Sequence, residues 1–264
     1  MKQSRNESVV RAFAIIEHLA ECDDWVALRT LARDLGLVPA TAYRFLATLK
    51  DLGYVQQQPE DSRYQLTLKF AWVASRVLER THLRRVAHPA MEHLTAVCNE
   101  TTHLAVLEGR EIVYIDKVDN VQAVKMRSRI GTRGYIHSTA VGKSIVAFLP
   151  EEEREEILAG LAFAPLTRNT IADAGRFFTH LSQIRRRGYA VDDEENEVGI
   201  RCVGVPVFDH AGRVAGAVSI SGWTITMTPE RLPQLASTLQ DACQQISKEL
   251  GFVPSAGSAG ERAL

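Results

Sequence analysis

Across residues 9–49 the hydrophobic positions recur every three or four places, the spacing of one helical face. Val9, Val10, Phe13, Ile16 and Leu19 predict a first helix; Leu28, Leu31, Ala32 and Leu35 predict a short second one. Ala42, Phe45, Leu46 and Leu49 predict a third, with Gly36 in the tight turn before it and Gly53 as its C-terminal cap. The period then changes. Tyr54-Val55-Gln56 and Tyr64-Gln65-Leu66 read as short strands around the turn Pro59-Glu60-Asp61-Ser62. Two amphipathic helices around a glycine turn also occur in all-α domains that bind no DNA. The preceding helix and the following hairpin favour a winged helix-turn-helix, whose second motif helix enters the major groove. Pro39, Ala40, Thr41, Tyr43, Arg44 and Thr48 then lie on or near the outward face, where bases and phosphates would sit.

Beyond residue 69 the pattern predicts a helical connector over 70–81 and a helix over 83–100, carried by Val86, Ala90, Leu94 and Val97. Strand-like runs follow at 102–108, 111–117 and 121–127, with Glu108-Gly109-Arg110 as a hairpin loop. Helices are expected at 142–149, 151–161 and 174–187, the last closed by Gly188. Strands are expected at 190–193, 201–208 and 214–221, then a helix over 229–250. Antiparallel strands with flanking helices make an α+β domain. The expected organisation is a DNA-binding domain over 1–69, a linker over 70–81, a second domain over 82–252 and a small, polar, disordered tail over 253–264.

Composition narrows the class. The chain has 264 residues with 45% hydrophobic and 24% charged positions, as in an ordinary globular protein. No apolar run reaches the length of a membrane span, and the N-terminus lacks a signal-peptide core, so cytoplasm is the expected location. Cys22, Cys98, Cys202 and Cys243 are scattered, with no CxxC pair, which argues for reduced thiols and against a zinc ribbon. Net charge is −1, and over residues 1–70 nine Lys and Arg balance nine Asp and Glu. The basic footprint usual in DNA binding is therefore missing. Pairing of two weakly basic domains across a palindrome would supply the affinity instead, which calls for a dimer or a tetramer.

At this point three segments become familiar. LGLVPATAYRFLATLKDLGYV with YQLTLKF resembles the DNA-binding domain of the IclR family of bacterial transcription regulators. DDEENEVGIRCVGVPVFDHAGRVAGAVSISG, from Asp192 to Gly222, is similar to that family's effector-domain signature, and the segment from Ser128 to Pro150 resembles a third family block. The resemblance runs over about residues 5–252. It implies a winged helix-turn-helix joined by a helical linker to a GAF-like effector-binding domain, with no cofactor and no metal. It also implies a regulator that binds a palindromic operator and changes affinity when a small organic acid enters the second domain. A repressor relieved by its ligand is the commoner arrangement; an activator answering to an aromatic acid is the alternative. Where family members often carry Ser-Lys-Ser-Thr this chain has Val38-Pro39-Ala40-Thr41, so two polar DNA contacts are replaced.

Three segments of the second domain carry candidate chemistry. The small residues of Ser138-Thr139-Ala140-Val141-Gly142-Lys143 lead into a helix, whose first N–H groups favour an anion; a plain N-cap reads the same way. Ser219 and Ser221 alternate on one strand and so share a face. Asp192 could equally be one charge on a solvated loop, and Cys202 a structural core thiol. The resemblance implies that Ala140, Val141, Asp192, Ile200, Cys202, Ser219 and Ser221 contact the effector, with Met126 as an apolar wall. The segments around residues 111–120 and 128–144 look closest to the sugar-acid-responsive members, and a hydroxy- or keto-acid suits the donors. The rival reading is an enzyme using Cys202 or Ser138 as nucleophile with His103, His137 or His180 as base. No GxSxG, HExxH or complete P-loop supports it; VGKS at 141–144 is only the end of a P-loop pattern.

Overall fold

The computed structural model describes residues 6–73, 82–120 and 128–253. The chain divides between Arg80 and Thr81 into two compact units. The first holds α1 (Glu7–Glu21), α2 (Leu28–Asp34), α3 (Pro39–Asp51) and a hairpin of β1 (Val55–Gln57) and β2 (Tyr64–Leu66). Asn6 starts α1 by accepting from the Ser8 and Val9 amides. Ile15, Leu19, Leu31, Ala42, Leu46, Val55 and Tyr64 form the core.

The inward stripe of α1 differs from the expected one. Ile15 and Leu19 are buried, whereas Val9, Val10 and Phe13 are exposed. At 100° per residue the two stripes lie about 145° apart, so both satisfy a helical period and only tertiary contact selects one. Gly36 (φ +62°) makes the turn into α3, and Pro39 occupies the first turn of that helix. Past α3, Gly53 (φ +76°) allows the Tyr54 amide to reach back to the Leu49 carbonyl at 2.8 Å. Val26 pairs with Tyr64 through bonds of 2.9 and 2.8 Å and adds a one-residue third strand to the hairpin. Residues 69–73 are helical, matching the start of the expected connector; the rest of it, to residue 81, lies outside the described residues.

The second unit opens with α4 (His82–Cys98) and the hairpin β3 (Thr101–Glu108) and β4 (Glu111–Val118). Then come β5 (Arg133–Tyr135), α5 (Ala140–Phe148), α6 (Glu151–Ala159), α7 (Ala174–Arg187), β6 (Ala190–Asp193), β7 (Ile200–Phe208), β8 (Val214–Trp223) and α8 (Leu232–Glu249). The six strands form one sheet in the order β5-β4-β3-β8-β7-β6, with every neighbouring pair antiparallel. Helices cover both faces. On one, the Thr102 hydroxyl bonds the Met91 carbonyl of α4, and the Cys243 thiol of α8 meets the Val205 carbonyl at 3.8 Å. On the other, Ile145 and Val146 of α5 pack with Phe177, Leu181 and Ile184 of α7 and with Ala105 and Ala217 of the sheet. Gly204 permits this approach: a Cβ there would stand 2.7 Å from the Ala140 carbonyl carbon and oxygen.

The expected strand over 121–127 and the tail from 254 onward lie outside the described residues. The pattern did not show β5, a three-residue strand with a central glycine. The last helix begins at Leu232 instead of residue 229, because Pro233 sits at its N-terminal turn.

Candidate effector cavity and DNA interface

Alternation along the central strands builds a polar wall. In the pairing register Thr101 stands opposite Ser221, Ser221 opposite Cys202, and Cys202 opposite Asp192. The neighbouring row places His103 opposite Ser219 and Ser219 opposite Gly204. These side chains face the α5 side of the sheet. Above them opens a cavity of about 410 Å³, closed at its ends by Arg133, Gly134 and Tyr135 of β5 and by Thr139, Ala140 and Val141 at the start of α5. Ala140, Val141, Asp192, Ile200, Cys202, Ser219 and Ser221 all line it. Met126 lies outside the described residues.

Asp192 is 3% exposed, and its Oδ1 accepts from the Glu195 and Asn196 amides at 2.8 and 3.2 Å. Burial, offset in part by Lys143, pushes its carboxyl up to about 7. Burial and the neighbouring Asp192 also raise the Cys202 thiol well above its usual range. The Tyr114 phenol is raised by burial, with Cys202 and Asp192 adding to it. His103 is driven the other way, to about 3, by burial and by Lys117, and its Nε2 lies 2.7 Å from the Ser128 hydroxyl. The Ser219 and Ser221 hydroxyls are 3.4 Å apart.

Thr139 caps α5, its hydroxyl accepting from the Gly142 amide at 3.2 Å. Ser138 instead donates to Asn196 Oδ1 at 2.8 Å. Lys143 turns away from the cavity: it is fully buried and donates to Glu195 Oε1 and the Val191 carbonyl, both at 2.5 Å. The P-loop-like VGKS therefore presents no lysine to a phosphate. The first two amides of the helix, at Ala140 and Val141, precede its intrahelical bonding and border the cavity.

Sequence reasoning missed His103, Tyr114, Arg133 and Asn196 as wall residues. His103 and Tyr114 alternate inward on β3 and β4, a signal present once those strands are drawn. Arg133 pairs with Glu108 and with Glu111, the latter at 3.1 Å, through sheet register that no local pattern reveals. Of the groups of the enzyme reading, His103 and Cys202 share the cavity wall, but His103 bonds Ser128 and the other two histidines lie elsewhere. His137 bonds the Ala164 carbonyl at 2.9 Å between the Tyr135 and Phe163 rings, and His180 borders a separate groove on α7. Among the described residues no group of three or more His, Cys, Asp and Glu is placed to hold a metal ion. Among the same residues no helix is long and apolar enough to cross a membrane.

In the first unit Pro39, Ala40, Tyr43, Arg44 and Thr48 are exposed on α3, and Thr41 is half-buried. The Thr48 hydroxyl donates to the Arg44 carbonyl at 3.0 Å, leaving its lone pairs outward. Beside the helix, Lys69 Nζ lies 4.4 Å above the centre of the Tyr54 ring and donates to the Leu52 carbonyl.

Comparison with known proteins agrees with both units. Residues 8–59 match the family described as "IclR helix-turn-helix domain", and residues 75–248 match "Bacterial transcriptional regulator IclR C-terminal". The chain is 38% identical over 245 residues to the HTH-type transcriptional regulator KdgR of Escherichia coli, covering 93% of each chain. It is 36% identical over 246 residues to the HTH-type transcriptional regulator XynR of the same organism, covering 93% of this chain and 98% of that one. The crystal structure of the Thermotoga maritima IclR is similar with a TM-score of 0.83 and 38% identity, over 93% of this chain and 99% of that one.

Proposed function

The chain belongs to the IclR family of bacterial transcriptional regulators, and from that premise we propose a repressor released from its operator by a small hydroxy- or keto-acid, a sugar acid before an aromatic one. It acts by binding in the cytoplasm, without turnover. Two copies, or four, set their α3 helices into successive major grooves of a palindrome, about 34 Å apart. Arg44 reads a base edge, Thr41, Tyr43 and Thr48 contact neighbouring bases or phosphates, and Pro39 and Ala40 pack against the groove wall. The acid lies in the 410 Å³ cavity with its carboxylate at the Ala140 and Val141 amides. The Ser219 and Ser221 hydroxyls and the Asp192 carboxyl take its hydroxyl or keto oxygens.

The observation that carries this reading is the cross-strand row Asp192, Cys202 and Ser221, facing the start of α5 across one cavity. Its polar atoms suit a compact, oxygen-rich molecule. The protonated Cys202 thiol, with no histidine bonded to it, suits contact better than nucleophilic attack. A thermal-shift screen of small carboxylic acids tests the reading. An acid at a hundred times its dissociation constant adds about 2.7 kcal/mol of stability. A screen in which aromatic acids stabilise the chain and sugar acids do not would replace the ligand class.

A further inference from the structure

The proposed site has an unbalanced charge. A carboxylate held at the start of α5 lies close to Asp192, because Gly204 packs against the Ala140 and Val141 backbone and Cys202, two residues along the same strand face, pairs with Asp192. Two residues of strand span about 7 Å. Among the described residues no unpaired cation lines the cavity between the two positions. Lys143 of α5 is committed to Glu195 and to the Val191 carbonyl. Arg133 of β5 is held at the cavity wall by Glu108 and Glu111. His103 of β3 is neutral, and Tyr114 of β4 and Cys202 of β7 keep their protons. The loop after β6 adds one more carboxylate, Glu197, to the cavity wall, while the charge of Glu195 is matched by Lys143. At about 7 Å and an effective dielectric near 20, two like charges disfavour each other by roughly fiftyfold.

Resting on the proposed acid-binding site, we infer that the effector binds together with one proton, held by the buried Asp192 carboxyl, which meets the ligand as a neutral acid donating to a ligand oxygen. The Asp192 Oδ1 already accepts two backbone N–H bonds, so the arriving proton belongs on Oδ2. The free carboxyl titrates near neutrality, and the ligand's charge moves that titration upward. By linkage, the proton strengthens anion binding by the same factor as the anion strengthens proton binding. Well below pH 7 the proton is already present and affinity is flat; from pH 7 to about 8.5 affinity falls about tenfold in all.

Calorimetry of the full chain with D-gluconate and with 2-keto-D-gluconate tests this, at pH 6 and pH 8 in buffers of different ionisation enthalpy. At pH 8 the expected uptake is about 0.7 proton per acid bound; at pH 6 it is near zero. In Asp192→Asn the uptake disappears and affinity no longer depends on pH. Wild-type binding that is independent of pH, or equal uptake in the variant, overturns the inference while leaving the acid site standing. Failure of every acid to bind removes the proposed ligand class. A ligand-free arm then decides the rest: carbon-13 carboxyl spectra of the wild type and Asp192→Asn must differ by one group titrating near pH 7, and absence of that difference overturns the proton site on its own.

Discussion

Lys143 and Glu195 meet at 2.5 Å inside the second unit, with the lysine side chain wholly closed to solvent and the glutamate nearly so. The pair ties α5 to the loop that follows β6, the same loop whose amides hold Asp192. It therefore fixes the back wall of the cavity. Removing one member leaves a buried, uncompensated charge. Lys143→Met should cost about 3–5 kcal/mol in chemical denaturation. Adding Glu195→Gln to that variant should recover a large part of the loss. Equal losses in the single and double variants would mean that lost packing, not the charge pair, sets the cost.

Arg44 is an exposed cation in the middle of the recognition helix. Arg44→Ala should weaken operator binding by about 1–3 kcal/mol and relax the preference at one base position, with the melting temperature unchanged. Gel-shift affinity equal to wild type would remove Arg44 from the interface.

Val9, Val10 and Phe13 form an apolar stripe on α1 that the core of the first unit does not use. We expect it to bury itself against a second copy. Phe13→Glu should lower the oligomeric mass seen by light scattering and weaken operator binding steeply with dilution, while circular dichroism stays that of the wild type. An undiminished mass would place the contact elsewhere.

The pH dependence of folding follows from Asp192. Its carboxyl titrates near 3.8 in the unfolded chain and at about 7 in the folded one. Between these values the unfolded state has lost a proton that the folded state keeps, so this group's contribution falls as pH rises through the window and is level above pH 7. Relative to the wild type, Asp192→Asn should therefore gain stability progressively from pH 4 to pH 7. A constant difference across that range would contradict the shifted carboxyl.

Much of this could be read from residue pattern. The helices of the first unit and the strands around Asp192, Cys202 and Ser219 declare themselves by local period, and the segment Asp192–Gly222 carried both the family resemblance and five of the predicted cavity residues. What remained hidden was non-local. Ile15 and Val9 lie on equally helical stripes, and only packing against α2 and α3 tells them apart. Nothing in the local pattern around Lys143 announces its pairing with Glu195, which lies 52 residues further along the chain. His103, Tyr114 and Arg133 become one wall only when β3, β4 and β5 are placed side by side.

The central claim is that an acid in the second unit controls DNA binding by the first. The direct measurement is fluorescence anisotropy of a labelled palindromic operator, selected from random DNA by the full chain, titrated with 2-keto-D-gluconate. The wild type should release the operator as the acid saturates the cavity. The chain carrying Ser219→Ala and Ser221→Ala should bind the operator as tightly and not release it. Operator binding that no small acid changes in the wild type, or release that persists unchanged without the two hydroxyls, would contradict the account.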